Sequence, residues 1–280
     1  MTVPRLLPVI VACALPWAAS RGAGESTSPL HTGWQDLALV NASDAQRVFA
    51  TAQETNPASR EARFGSALTL LQLRSRTPGH VADAAELLEN LRQENPSDDI
   101  GIGAAYYLAR IQQLHSFNPD RTAAVASYRA LIAAHPGHPY AQLAAPKLAL
   151  LLLYDDVPSD EWEKRVAEIE ALIPQLTAPE AARDTRLTLG TALIRLRHDH
   201  VRAYPLFAAC LSADSVTRMP RLNTVLVQSA ESAERLGKRS AAAGFYAEFL
   251  RVFPNDSKSD EIRHRLATLL APQPAEVARP

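Results

Sequence analysis

Residues 127–139, SYRALIAAHPGHP, have the pattern of a helix that stops at a proline and is followed by a new helix. Proline lacks an amide donor and disfavours helical backbone in the residue before it, so a helix ends at that point. Nearly the same phrase, FYAEFLRVFPNDS, occupies residues 245–257. The recurrence predicts that the chain repeats one helical unit.

Helix-ending motifs of this kind recur at intervals of 38 to 41 residues, at Pro57, Pro96, Pro136, Pro174, Ser215 and Pro254. An amphipathic helix precedes each stop, and each interval has room for a second helix. One such hairpin cannot bury its apolar stripe alone, so neighbouring hairpins must stack. The pattern therefore predicts an all-α superhelix, or solenoid, of antiparallel helical hairpins with about twelve helices.

The predicted helices before the stops span 44–56, 82–95, 121–135, 160–173, 201–213 and 238–253. Their predicted partners span 61–74, 102–115, 140–154, 180–197, 219–236 and 258–270. Ser43 with Gln46 and Thr177 with Glu180 have capping-box spacing and support two helix starts. Gly237 supports a helix end.

The residues before each stop resemble the tetratricopeptide repeat family. The family places a small residue twelve positions before the terminal proline and an aromatic or large apolar residue eight positions before it. Five units match, with the pairs Ala45 and Phe49, Ala84 and Leu88, Ala124 and Tyr128, Ala203 and Phe207, and Ala242 and Tyr246. The fourth unit has Trp162 and Val166 instead, which predicts local repacking. The interval also exceeds the family's about 34 residues, which implies longer loops.

The first twenty residues, MTVPRLLPVIVACALPWAAS, combine one charge, Arg5, with an apolar run and small residues before Ser20. This arrangement predicts an export signal over 1–20. Residues 10–13, IVAC, also resemble the lipobox of bacterial lipoproteins, in which Cys13 would be lipidated and become the N-terminus. Both processing routes remain open. We expect a linker over 21–43, the repeat domain over 44–270 and a flexible C-terminal tail over 271–280.

The overall charge balance argues against nucleic acid as a partner. The chain has 29 basic and 30 acidic residues, a formal net charge of −1, so it lacks the basic excess that such binding needs. We therefore expect a protein or peptide partner and no nucleic acid. Membrane contact is expected only if Cys13 is lipidated.

Two histidine clusters are the densest groups of residues that commonly bind metals. The first contains His135 and His138, and the second contains His198, Asp199 and His200. Both lie at predicted turns between helices, where their spacing leaves the geometry undefined. A structural zinc site needs four well-placed ligands. These clusters are therefore interpreted as turn residues, and no metal site is predicted.

Other reactive side chains also have simpler explanations. Asp155, Asp156 and Glu161 flank a predicted helix start, where acidic groups favour the helix dipole. Cys210 lies on an apolar helix and is predicted to be a small buried residue. The sequence thus predicts no catalytic residue, no cofactor and no enzymatic activity.

In the resembling family, the first helix of each pair lines a concave groove. The polar stripes of two such helices are the hypothesised partner-binding residues: Tyr106, Arg110, Gln113, Thr224, Gln228 and Glu231. The sequence as a whole indicates an exported scaffold or adaptor for protein–protein interactions in the bacterial cell envelope. The alternative is an accessory helical domain or subunit of an envelope hydrolase system.

Overall fold

The computed structural model describes residues 29–155, 160–211 and 221–271. Within these ranges there are thirteen α-helices, one π-helical turn, one 3-10 turn and no strand. The prediction of an all-α fold built from helical hairpins is confirmed. The proposed signal with Cys13 and Ser20, the stop at Ser215 and residues 272–280 lie outside the described residues.

The chain divides into two compact units between Leu151 and Leu152, whereas the sequence predicted one domain over 44–270. The division falls within α7. The first unit contains the helices α1 (Pro29–Ala38), α2 (Ala42–Thr55), α3 (Arg60–Gln72), α4 (Pro78–Glu94), α5 (Asp99–Arg110), α6 (Arg121–Ala134) and most of α7 (Pro139–Tyr154). The π turn Ile111–His115 continues α5.

The second unit contains the helices α8 (Trp162–Leu172), α9 (Pro179–Arg197), α10 (His200–Leu211), α11 (Leu222–Arg235), α12 (Arg239–Val252) and α13 (Ser259–Leu270). A 3-10 turn, Ile173–Gln175, follows α8. From α1 to α6, and again from α8 to α13, each helix packs against the helices before and after it in the chain. This sequential packing is that of a helical solenoid. Among the described helices, none is both long and apolar enough to cross a membrane.

The residues of the repeated motif form the core of both units. The small and the large apolar positions of the five matching repeats are all 0% exposed: Ala45, Phe49, Ala84, Leu88, Ala124, Tyr128, Ala203, Phe207, Ala242 and Tyr246. The small residue lets two helices approach, and the large one fills the space between them. Burying each large side chain stabilises the fold by roughly 2 kcal/mol.

Phe49 shows how one repeat packs against the next. A Cβ added at Gly33 of α1 would lie 3.0 Å from Cζ of this ring, and a Cβ added at Gly65 of α3 would overlap it. The ring of α2 is therefore held between two glycines, one in its own hairpin and one in the following hairpin. Absence of a side chain at Gly65 is what allows α3 to approach α2.

The fourth repeat exchanges large and small residues, as its sequence predicted. Trp162 takes the small position and is 3% exposed, while Val166 takes the large position and is 0% exposed. The guanidinium carbon of Arg197 lies 4.9 Å from the centre of the Trp162 ring. This cation–π contact joins α8 to the end of α9.

The segment predicted as a linker over 21–43 contains a packed helix, α1. Trp34 on this helix is only 5% exposed. Its ring lies 5.0 Å from that of Phe49 and 6.1 Å from that of Phe64, and its Nε1 donates a 2.9 Å hydrogen bond to Oε1 of Glu61. Helix α1 is therefore the first helix of an additional hairpin, and residues 29–38 are not a tether.

Candidate partner-binding surface

Helices that come first in their hairpins lie side by side within each unit. In the first unit, the Trp34–Glu61 hydrogen bond links α1 to α3. In the second, Arg265 of α13 donates a 3.0 Å hydrogen bond to Glu231 of α11. Thr191 of α9 lies 3.5 Å from Oε1 of Gln228, at the long limit for a hydrogen bond. Successive repeats therefore contribute neighbouring side chains to one surface in each unit.

The structure contradicts the hypothesis that Tyr106 is an exposed anchor. Its side chain is 2% exposed. The centre of its ring lies 5.1 Å from that of Tyr107, 5.5 Å from that of Tyr140 and 6.2 Å from that of Tyr128. Tyr106 is thus part of an aromatic core that includes residues of α5, α6 and α7, and a partner protein cannot reach it.

Gln113 is also a core residue, with 8% exposure. Its Oε1 accepts a 2.8 Å hydrogen bond from the hydroxyl of Tyr128 and a second one from Nη1 of Arg110. Burial raises the pKa of Tyr128 to about 12, so its hydroxyl keeps its proton and remains a donor. Gln113 therefore satisfies a buried tyrosine, and of the three residues proposed on this helix only Arg110 is partly exposed.

Thr224, Gln228 and Glu231 all lie on α11 with partly exposed side chains. Oγ1 of Thr224 contacts Oδ1 of Asn223 at 3.4 Å, while Gln228 and Glu231 make the contacts to α9 and α13 described above. Gln228 and Glu231 therefore contact the first helices of the adjacent repeats, whereas the contact of Thr224 is within its own helix. Their role in binding a partner stays a prediction. They belong to the second unit, and Arg110 to the first.

Tyr246 of α12 is hydrogen-bonded to charged side chains near the polar residues of α11. The hydroxyl of Tyr246 donates a 2.6 Å hydrogen bond to Glu234 and accepts a 2.9 Å hydrogen bond from Arg265. Burial, followed by the hydrogen bond to Glu234, raises the pKa of Tyr246. Because Arg265 also contacts Glu231, the core of this repeat is connected to the polar stripe of α11.

The π turn Ile111–His115 places a cationic cluster that the sequence analysis missed. His115 is 4% exposed, and its Nδ1 lies 2.9 Å from Nη1 of Arg76. Since a guanidinium can only donate, this nitrogen accepts. Burial, with smaller contributions from Arg76 and Arg110, lowers the pKa of His115 to about 3. The imidazole is therefore neutral near pH 7, and the two arginines carry the charge.

Three of the reactive groups considered from the sequence, His138, His200 and Glu161, have local partners. His138 lies 3.2 Å from Asp99, and Nδ1 of His200 lies 3.1 Å from Oγ of Ser232. In the ranges that the structure describes, no three side chains of metal-ligand type converge. Glu161 pairs with Arg165 at 2.9 Å. Asp156, the neighbour proposed beside Asp155, lies outside the described residues.

Cys210 is buried, as the sequence predicted, with 1% exposure. Its Sγ lies 3.6 Å from the carbonyl oxygen of Arg183. Burial raises the pKa of the thiol to about 11, so almost no thiolate forms at neutral pH. The side chain therefore acts as a small apolar residue.

An open groove of about 870 Å³ lies on the first hairpin, and its lining includes none of the hypothesised binding residues. Helix α1 contributes Leu30, Thr32 and Asp36 to its wall. The rest of the lining comes from α2 and the turn after it: Asp44, Arg47, Val48, Thr51, Ala52, Thr55, Asn56 and Ser59. The mixture of apolar and charged side chains indicates no particular ligand.

Comparison with known proteins agrees with the fold. The tetratricopeptide repeat family model matches residues 224–256, which contain most of α11, all of α12 and the stop at Pro254. No curated protein matches the chain. A solved structure from the functional characterization of Pseudomonas aeruginosa pilF is 14% identical, covers 85% of this chain and 96% of its own, and superposes with a TM-score of 0.54.

A thermophilic tetratricopeptide repeat protein of Thermus thermophilus, TTC0263, is 19% identical and covers 86% of this chain and 97% of its own. Its TM-score of 0.29 is too low to compare the two folds. The fold similarity is therefore based on the Pseudomonas aeruginosa structure and the sequence match on residues 224–256. The chain thus carries a tetratricopeptide repeat sequence in its second unit and has a tetratricopeptide-like, all-helical fold.

Proposed function

We propose that this chain is an exported scaffold or adaptor that holds a protein partner in the bacterial cell envelope. Stacked helical hairpins present one helix of each pair on a shared surface, and proteins of this architecture use that surface for binding. Such scaffolds are generally not enzymes. No catalytic residue is assigned.

The observation that supports this proposal is the side-by-side arrangement of α9, α11 and α13. Gln228 and Glu231 lie between the neighbouring first helices, in contact with Thr191 and Arg265. An extended segment lying across α11 would therefore meet side chains from three consecutive repeats. Each contact would be small, and the affinity would come from their number and from residues that the interface fully buries.

Location in the envelope is supported by the composition of the first twenty residues. Cleavage after Ser20 would release a free protein with Arg21 at its N-terminus. Lipidation of Cys13 would instead tether the chain to a membrane. N-terminal sequencing and mass analysis of the exported protein distinguish these two forms, and recovery of an intact Met1 in the envelope fraction would contradict both.

The function is tested by site-specific crosslinking in native envelopes. A photo-activated amino acid replaces Gln228 on α11, and a matched control replaces Ala247, an exposed residue of α12. We expect the variant at position 228 to give a discrete adduct with another protein and the variant at 247 to give little. Equal labelling at both positions, or recovery of the chain only from the cytoplasm, would contradict the proposal.

A further inference from the structure

Half-buried arginines in the first unit differ in how their charge is compensated. Nη1 of Arg60 pairs with Asp98, and Nε of the same residue lies 3.2 Å from Oε2 of Glu94. Arg63 contacts Glu94 through both terminal nitrogens, at 2.5 and 2.8 Å. These two guanidinium groups therefore have carboxylate partners, which offset the cost of removing them partly from water.

Arg76 and Arg110 have no such partner. Arg76 donates through Nη1 to the carbonyl oxygen of Leu71 and to Nδ1 of His115, both of which are neutral. Arg110 donates to the amide oxygen of Gln113. Among the described residues, no carboxylate lies within 4 Å of either guanidinium group. Two cations therefore flank one neutral imidazole without a compensating negative charge.

The positive charge of Arg76, rather than an unused donor, sets it apart. Nε is buried without a hydrogen-bond acceptor in Arg60, Arg63 and Arg76 alike, among the described residues. Both arginines act on His115, because burial lowers its pKa most and their positive charges lower it further. An uncompensated charge that is partly removed from water costs free energy unless a negative charge is supplied. A carboxylate supplies that charge, and its planar shape matches the guanidinium fork.

Exposed apolar side chains follow directly in the chain. Phe117 is 65% exposed and Leu114 is 37% exposed, on either side of His115 in sequence. The turn that carries Phe117 is fixed locally, because Oγ of Ser116 bonds to both the carbonyl oxygen and the backbone nitrogen of Asn118, at 2.9 and 3.1 Å. A free inorganic anion would leave this apolar surface in water, whereas a protein segment would cover it.

We propose that Arg76 and Arg110 bind a carboxylate side chain of a partner protein, and that an apolar residue beside that carboxylate packs on Phe117. This inference depends on the proposed scaffold function and specifies the chemistry that the first unit recognises. The site belongs to the first unit, around the π turn, whereas the polar stripe of α11 belongs to the second unit. A partner bound only through the second unit would leave the scaffold function intact and contradict this site.

The test begins with a displayed library of random dodecapeptides selected on the full-length protein. We expect enrichment of peptides with Asp or Glu next to an apolar residue. The strongest is then synthesised with capped ends, in its acidic form and with the acid replaced by its amide. Charge-assisted hydrogen bonds are worth about 1.5–3 kcal/mol, so the acidic form should bind at least about tenfold more tightly.

Variants locate the binding on the protein. Arg76→Gln with Arg110→Gln should weaken the acidic peptide about tenfold or more and should abolish the preference over the amide form, while Arg251→Gln, at a 70% exposed arginine of α12, serves as the matched control. If the double variant melts at a lower temperature, Arg76→Lys with Arg110→Lys keeps both charges, and loss of the fork should still weaken binding several-fold.

Three results would overturn the proposal. One is a selection without acidic peptides. Another is an acidic peptide whose affinity is the same for the wild type and the arginine variants. The third combines two observations: inorganic phosphate displaces the peptide at concentrations near the peptide's own Kd, and Phe117→Ser leaves the affinity for the peptide unchanged. Together they would identify a site for free anions.

Discussion

Substitution of Gly65 by alanine tests the packing between the first two hairpins. The added Cβ would lie 2.5 Å from both Cδ1 and Cζ of the Phe49 ring. Favourable carbon contacts lie at about 3.5–4.0 Å, so the overlap is about 1 Å. The ring cannot move away freely, because it is 0% exposed and already lies so near Gly33 that a Cβ added there would be 3.0 Å from Cζ.

The expected magnitude follows from two opposing terms. Alanine in a helix interior is about 1 kcal/mol more favourable than glycine. Overpacking of a closed core costs typically 1–3 kcal/mol, and the enclosed ring places this site at the upper end. We therefore expect Gly65→Ala to lower the free energy of unfolding by about 2 kcal/mol and the Tm of the first unit by about 8 °C.

The measurement is urea unfolding followed by circular dichroism, with hydrogen exchange of peptides from α2 and α3 to assign the change to the first unit. Gly79→Ala is the matched control, because the nearest atom to a Cβ there is Oγ1 of Thr77 at an unstrained 3.6 Å. Phe49→Leu should reduce the cost of Gly65→Ala in a double-mutant cycle. Equal or higher stability of Gly65→Ala relative to the control would refute the packing argument.

Two further predictions concern single residues of the first unit. Val40 has a left-handed backbone, with φ of 61°, which is strained for a β-branched side chain. Val40→Gly should therefore raise the free energy of unfolding, measured by urea titration, by about 1 kcal/mol. Val40→Ala, which keeps a Cβ, should give little of this gain. The pKa of His115 is about 3 in the folded protein and roughly 6.5 in the unfolded chain. Between these two values the unfolded chain binds a proton that the folded protein does not bind. The free energy of unfolding therefore falls as pH decreases from about 6.5 toward 3. Between pH 6.5 and 5, His115→Gln should lose less stability than the wild type, whereas the exposed control His264→Gln should follow the wild type; parallel curves for all three proteins would contradict the assignment.

The fold could be predicted because the repeated signals are local. A proline ends a helix whatever its surroundings, and a small residue four positions before a large apolar one identifies a buried face without reference to the rest of the chain. Helix α1 was missed for the opposite reason. Its sequence, PLHTGWQDLA, contains small and polar residues typical of a tether, and its position depends on contacts of Trp34 with Phe49 and Phe64, residues of other helices.

Helix starts were less predictable than helix ends. The capping box proposed at Ser43 and Gln46 is not used, because α2 begins at Ala42, after Asn41. Likewise, α9 begins at Pro179 after Ala178 rather than at the proposed Thr177 cap. The proposed end at Gly237 is confirmed by its φ of 69°, a conformation that glycine adopts without strain.

Two of the six candidate residues, Tyr106 and Gln113, are buried for reasons of helix geometry. Helix α5 is apolar around much of its circumference, so the sequence did not show that Tyr106 rather than Tyr107 faces the hairpin interior. The π turn then adds a residue to the last turn and rotates Gln113 and His115 away from the positions of a regular α-helix. Contact between Arg76 and His115 also joins residues from two different repeats, and no local pattern predicts it.

The tryptophans give this chain a built-in spectroscopic reporter for each unit. The sequence contains three, of which Trp17 belongs to the segment proposed to be removed on export. Trp34 lies among aromatic rings in the first unit, and Trp162 lies under the Arg197 cation in the second. After cleavage at Ser20, a single Trp162→Phe or Trp34→Phe exchange would leave one emitting indole, so fluorescence would follow the unfolding of one unit independently of the other.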